Sequence, residues 1–175
     1  MVYFTADLHL GHSNIIRLCD RPFSSVDEMD VTLIRNWNNT VTHRDEVYIL
    51  GDFTMKPAAE AHDYLAALHG RKFFIRGNHD RFLNNFEPYE KDLEWIKDYF
   101  VLRYEGKKFV LFHYPIAEWQ DYYHGAIHLF GHIHLSPESA SRVDRSGRTL
   151  NVGVDCHGFR PVSIRQIIEK VEESL

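Results

Sequence analysis

Five short apolar runs in this chain each stop within three residues of a side chain able to bind a metal ion. Val2-Tyr3-Phe4 leads to Asp7, Val47-Tyr48-Ile49-Leu50 to Asp52, Phe73-Phe74-Ile75 to Asn78, Phe109-Val110-Leu111-Phe112 to His113, and Ile127-His128-Leu129-Phe130 to His132. Hydrophobicity that is continuous rather than alternating predicts strands covered on both faces. In layered α/β proteins, sites form outside the carboxyl ends of such strands. The repeated order of strand then ligand therefore predicts neighbouring strands that bring segments as distant as Asp7 and His134 to one end of the fold.

Helical patterns lie between the strands. Ser25-Val26-Asp27-Glu28 has the form of a capping box, and Met29, Leu33, Ile34 and Trp37 follow on nearly one helical face. A second helix is predicted from Pro57 through Tyr64, Leu65 and Leu68 to Gly70. Trp37 and Tyr64 are expected to pack rather than to touch substrate. Tyr99 to Tyr104 and Lys107 to Phe112 flank Glu105-Gly106 and predict an antiparallel hairpin. Ser136 to Gly147 is polar and turn-rich, Thr149 to Val154 regains strand character, and Ser163 is placed to cap a last helix through Ile164, Ile167, Ile168 and Val171.

No linker or repeat divides the 175 residues, and 44% hydrophobic content suffices for one domain spanning 1–175 with no disulfide in its core. No run approaches the roughly 18 apolar residues of a membrane span, and the chain opens on strand-like residues rather than a basic-then-apolar leader. A cytoplasmic protein without membrane association is expected. Cys19 and Cys156 lack CxxC spacing and are expected to be reduced thiols. A formal net charge of −5 argues against coating extended nucleic acid, because phosphate contacts dominate such binding.

The ligand segments are Asp7-Leu8-His9, Gly51-Asp52, Gly77-Asn78-His79-Asp80, His113 and Gly131-His132-Ile133-His134. In this order, D-x-H, G-D, G-N-H-D, H and G-H-x-H, they resemble the calcineurin-like metallophosphoesterase superfamily. The opening Phe4-Thr5-Ala6-Asp7-Leu8-His9-Leu10-Gly11-His12, with Asn14-Ile15-Ile16 and Arg21-Pro22-Phe23, is similar to a group of small bacterial and phage members mostly known as predicted phosphoesterases. The resemblance implies a layered α/β fold, a four-layer αββα sandwich of two mixed sheets flanked by helices. It also implies two divalent ions: Asp7, His9 and His134 on the first, Asn78, His113 and His132 on the second, and Asp52 bridging them. His79 is then the general acid over the leaving-group oxygen, with Asp80 orienting its imidazole or raising its pKa.

The residues add their own constraints. Asp7 and His9 are two apart, so both point to one side if the strand continues through them. A closed structural zinc site is disfavoured, since such sites use four Cys or His ligands. Gly51, Gly77 and Gly131 stand beside ligands at strand ends, where a missing Cβ permits tight turns and close approach. Nitrogen and oxygen donors without thiolate suit Mn²⁺, the expected activator, as well as Fe²⁺, Zn²⁺, Ni²⁺ or Mg²⁺. His12, Asn14 and Arg21 are candidate substrate contacts near the first ligand pair, as are Asn151 and Asp155 in the strand after the last motif.

The function expected is a phosphoesterase acting through a hydroxide between the two metals, with phosphodiesters slightly preferred to monoesters. The partner is a small phosphate ester or nucleotide. A nuclease of short nucleic acids and a noncatalytic protein-interaction module, as in the retromer subunit that resembles these enzymes, are the alternatives. Oligomeric state is not encoded in these motifs.

Overall fold

The computed structural model describes residues 1–84, 91–134 and 146–174, so most of the turn-rich Ser136 to Gly147 segment lies outside the described residues. In chain order the elements are β1 (Val2–Thr5), α1 (Ser13–Leu18), α2 (Val26–Thr40), β2 (Glu46–Leu50), α3 (Ala58–Ala67), β3 (Arg71–Ile75), β4 (Trp95–Lys97), β5 (Tyr99–Tyr104), β6 (Lys107–Phe112), β7 (Ile127–Phe130), β8 (Thr149–Asn151), β9 (Val162–Ser163) and α4 (Ile164–Ser174). One mixed sheet runs β4-β3-β2-β1-β9 and a second runs β5-β6-β7-β8. β1 to β4 are mutually parallel with β9 antiparallel at the edge. β6, β7 and β8 are parallel and β5 is antiparallel to β6, closing the hairpin at Tyr104 opposite Lys107.

Alternate residues of these strands serve two different cores, which is why the runs are apolar throughout. Phe4, Tyr48, Leu50, Phe73 and Ile75 face Phe109, Leu111, Ile127 and Leu129 of the other sheet. Val47, Ile49 and Phe74 face the opposite way, against Ile15 of α1, Met29, Leu33 and Trp37 of α2, and Leu65 of α3. The result is the expected α/β sandwich of two mixed sheets. Its helical layer over the five-stranded sheet is α1 to α3. Among the described residues, the outer face of the four-stranded sheet is covered by loop residues Ile116, Trp119, Tyr122 and Ala126 against Val110. Helix α4 inserts Ile164, Ile167 and Val171 into the core between the sheets.

The local signals act with small departures. Glu28 N donates to Ser25 Oγ at 3.2 Å, but the Glu28 carboxylate accepts from Ser24 N at 2.8 Å rather than closing the box on Ser25. Ser163 and Gln166 do reciprocate, Gln166 N to Ser163 Oγ at 3.3 Å and Ser163 N to Gln166 Oε1 at 3.0 Å. Trp37 is buried, and the partly buried Tyr64 donates its hydroxyl to Asp30 at 2.7 Å. Strand β8 stops at Asn151, short of the expected Val154, because Gly153 N turns back to Asn151 Oδ1 at 2.8 Å and Val154 N crosses to Ala6 O at 3.0 Å. That crossing joins the ends of the two sheets. No helix among the described residues is long and apolar enough to cross a membrane.

Candidate metal centre

The carboxyl ends of β1, β2, β3, β6 and β7 carry the ligand segments, but the strands do not continue through them. β1 ends at Thr5, and Asp7 and His9 take left-handed backbone conformations, with φ 57 and 52. Their shared orientation is therefore not the strand alternation expected from the two-residue spacing. Asp52 (φ 53) and His132 (φ 68) share this conformation. Asp and His tolerate it better than most residues, yet each instance costs about 1–3 kcal/mol and persists only where neighbours enforce it. The enforcing contacts are Asp7 N to Gly51 O at 3.0 Å, His9 N to Asp52 O at 3.0 Å, and His132 N to both Asp7 oxygens at 3.0 Å. Gly131 fits because a Cβ there would lie 2.7 Å from Asp7 Oδ2, and a Cβ at Gly77 would strike the Asp52 carboxylate. The close approach these glycines permit is to ligand carboxylates.

Two groups of donor atoms result. Asp7, His9 and His134 offer ligand atoms within 4.8 Å of one another, and so do Asp52, His113 and His132. Asp52 Oδ2 also stands 3.7 Å from His9 Nε2 and 3.5 Å from His113 Nε2, between the two groups. Asn78 Oδ1 lies 3.0 Å from His113 Nε2 and 3.0 Å from His132 Nδ1.

Several features fit cations. Both ring nitrogens of His9 are buried without a hydrogen-bond partner, an arrangement native proteins avoid unless something else satisfies it. His113 Nδ1 must donate to Leu50 O at 2.7 Å, since a carbonyl only accepts. In the neutral ring Nε2 then directs a lone pair at the Asn78 and Asp52 oxygens, and acceptors facing one another need a proton or a metal between them. His134 Nδ1 stands 2.9 Å from Asp155 Oδ2 and donates to it, leaving Nε2 as the basic nitrogen of the neutral ring.

The electrostatics agree. Burial pushes the His9 imidazole down to about 3, more than the Asp52 carboxylate can restore, so it is neutral and able to coordinate. Burial pushes Asp7 up to about 7 against the opposing pull of His134, His113 and the His132 N–H. Asp52 goes the other way: despite burial, His113 and the His79 N–H hold it near 2, while Asp52 in turn outweighs the burial of His113 and raises that imidazole.

Other expected roles change. Asp80 does not bond the His79 ring. Its buried carboxylate accepts from Asp52 N at 2.8 Å, Phe53 N at 2.8 Å and Gly77 N at 2.7 Å, bracing the two loops that carry Asp52 and Asn78. Burial lifts this carboxyl to about 6 in spite of those donors. Arg21 is no substrate contact either: its side chain is fully buried and gives Nη2 to Asp7 O at 2.7 Å, Nη1 to Leu8 O at 2.9 Å, and Nε to Asp155 at 2.8 Å. Asp155 is occupied between Arg21 and His134, and these bonds lower its pKa against burial. Asn151 donates to Ile133 O at 2.7 Å and so holds the His132–His134 loop. His12 also lies beside the centre, its ring 5.6 Å from that of His9, while Asn14 is exposed on α1.

No family model matches the chain. It is 37% identical to the uncharacterized protein MJ1445 of Methanocaldococcus jannaschii over 175 residues, covering 98% of this chain and 92% of the relative. It is 30% identical to the gene 66 protein of Mycobacterium phage D29 over 205 residues, covering 99% and 98%. The crystal structure of AQ665, a protein of unknown function from Aquifex aeolicus, superposes with a TM-score of 0.75 at 26% identity, covering 97% and 98%. The chain belongs to one family with MJ1445 and the phage gene 66 protein, and its ligand series, set at the strand ends of a two-sheet sandwich, resembles that of the calcineurin-like metallophosphoesterases.

Proposed function

We propose that this protein is a dinuclear metal-dependent phosphoesterase that cleaves small phosphodiesters in preference to monoesters. The observation that carries the reading is that His79, although it adjoins Asn78 and touches His9, belongs to neither group of donor atoms. Its backbone N–H is fixed to Asp52 Oδ1 at 2.9 Å, and its ring lies 5.6 Å from that of His9. Among the described residues that ring makes no hydrogen bond.

Asp7, His9 and His134 would hold one divalent ion, Asn78, His113 and His132 the other, with Asp52 shared. When bound, such ions lower the pKa of water and offset charge on nonbridging phosphoryl oxygens. The chain's residues do the rest. The neutral His9 and the oriented His113 and His134 present lone pairs rather than protons. Asp80, Arg21 and Asn151 keep the ligand loops rigid. His79 carries the proton that a poor leaving alkoxide requires, which matters most for an unactivated ester. Arg21, a cation beside the metal donors among the described residues, is engaged by Asp155 and two backbone carbonyls rather than free for a terminal dianion, so a diester is the better fit. Mn²⁺ suits the donor set, and the partner is a small phosphate ester or nucleotide rather than an extended nucleic acid.

Metal-free protein reloaded with Mn²⁺, Mg²⁺, Zn²⁺ or Ni²⁺ and assayed on monoesters, diesters, cyclic nucleotides and short RNA tests this. Diester turnover that depends on metal and exceeds monoester turnover is expected. Two bound ions with no turnover on any ester would instead assign the fold to a noncatalytic interaction module.

A further inference from the structure

A cleft of about 490 Å³ is lined by Met55, Lys56, Pro57, His79, Arg81 and Phe82. Its volume falls within the range of small-molecule sites. None of the residues that would hold metal lines it. Its composition is mixed in a specific way: Phe82 is buried and anchored against Phe53 and Phe74, Met55 is 51% exposed, and Lys56 and Arg81 supply two cations. Lys56 pairs with Glu60 at 3.4 Å, a half-exposed contact on the helix surface worth little and readily exchanged.

We infer that this cleft receives the leaving alcohol, and that the alcohol carries both an apolar ring and a second negative charge. The inference rests on the phosphoesterase reading. In that reaction a hydroxide oxygen forms a bond to phosphorus and the bond to the leaving oxygen breaks with its electron pair. The leaving oxygen takes the His79 proton, and a phosphomonoester remains. The proton donor must face the leaving oxygen, so whatever is attached to that oxygen extends past His79. Among the described residues, this cleft is a space that His79 lines. A flat ring can lie against Met55, Pro57 and Phe82, and an anionic group can meet Lys56 and Arg81. A nucleotide and a phosphorylated phenol both satisfy this chemistry.

The chain contains three methionines, which makes the cleft directly observable. Protein labelled with carbon-13 at the methionine methyls and loaded with diamagnetic Zn²⁺ should show a saturable shift of Met55 on adding a nucleoside monophosphate or phenyl phosphate, while buried Met29 stays still. The ligand giving the tighter saturation identifies the source. In parallel, a methyl nitrophenyl phosphodiester and its analogue bearing an added carboxylate on the leaving ring are compared as substrates. The carboxylated ester should be preferred by about tenfold in kcat/KM, and Lys56→Ala with Arg81→Ala should shrink that preference through KM. A Met55 signal that does not move, or hydrolysis of both diesters with no preference, overturns the leaving-group site while leaving the phosphoesterase reading standing. Saturable Met55 shifts without hydrolysis of either diester overturn both assignments, since a bound anion would then not be a leaving group.

Discussion

Arg21 grips Asp155 through two parallel hydrogen bonds, Nε to Oδ1 at 2.8 Å and Nη2 to Oδ2 at 3.0 Å, across 134 residues of sequence. The same guanidinium holds the carbonyls of Asp7 and Leu8, and the same carboxylate receives His134 Nδ1–H. One buried fork thus holds the backbone of Asp7 and, through Asp155, the ring of His134, two of the residues proposed for the first metal. Arg21→Lys keeps the charge but loses the planar fork. Affinity for one of the two ions should fall by roughly 10–100-fold, the usual effect of removing an outer partner of a ligand. Calorimetric titration of metal-free protein would show the loss confined to one binding event; equal weakening of both, or none, would count against this role.

Asp80→Asn tests the brace. An amide offers one acceptor oxygen and puts an NH₂ against a backbone N–H that the carboxylate now accepts. Leaving a buried donor unsatisfied costs about 1–3 kcal/mol. Chemical denaturation should report that loss, together with reduced turnover. If Asp80 acted on the His79 ring instead, the variant would keep its stability and change only the pH profile.

Acid should weaken metal binding well above the usual carboxylate range. In the metal-free protein Asp7 titrates at about 7, because burial outweighs its donors, and His113 sits above its ordinary value because Asp52 outweighs its burial. Asp7 therefore takes up a proton as pH falls from 8 to 6, the raised His113 adds to the competition, and an entering ion must displace the protons bound. His9, at about 3, is already deprotonated and contributes nothing in this interval. Affinity should drop by about tenfold per pH unit for each proton displaced. Binding constants that stay flat from pH 8 to 6 would contradict the donor assignment.

What the sequence could convey divides along a physical line. Strand positions and donor identities were legible because burial on both faces demands continuous apolar runs and because Asp, Asn and His are the donors available. The backbone between those runs was not. The turn to positive φ at Asp7 and His9 depends on Gly51 O and Asp52 O, atoms every residue possesses, so no side chain announces it. The settings of Asp80 and Arg21 were hidden for a related reason, since Asp80 accepts from three backbone N–H groups and Arg21 divides its donors between two backbone carbonyls and the side chains of Met29 and the distant Asp155. Asn78, His79 and Asp80 are consecutive, yet they become a proposed ligand, a proposed proton donor and a brace through their directions in space.

His79→Ala separates proton transfer from metal binding. The imidazole is outside both donor groups, and its backbone N–H, which alanine retains, makes the 2.9 Å contact with Asp52. Both ions should therefore bind with wild-type stoichiometry. Loss of a general acid slows turnover by about 10²–10⁴-fold, and the loss should grow with the pKa of the leaving alcohol. An aryl ester departs as a stable phenolate and needs little help, whereas an alkyl ester cannot leave without a proton. A plot of log kcat against leaving-group pKa should consequently be steeper for the variant than for the native protein. Parallel lines would remove His79 from proton transfer, and loss of an ion would place it among the ligands.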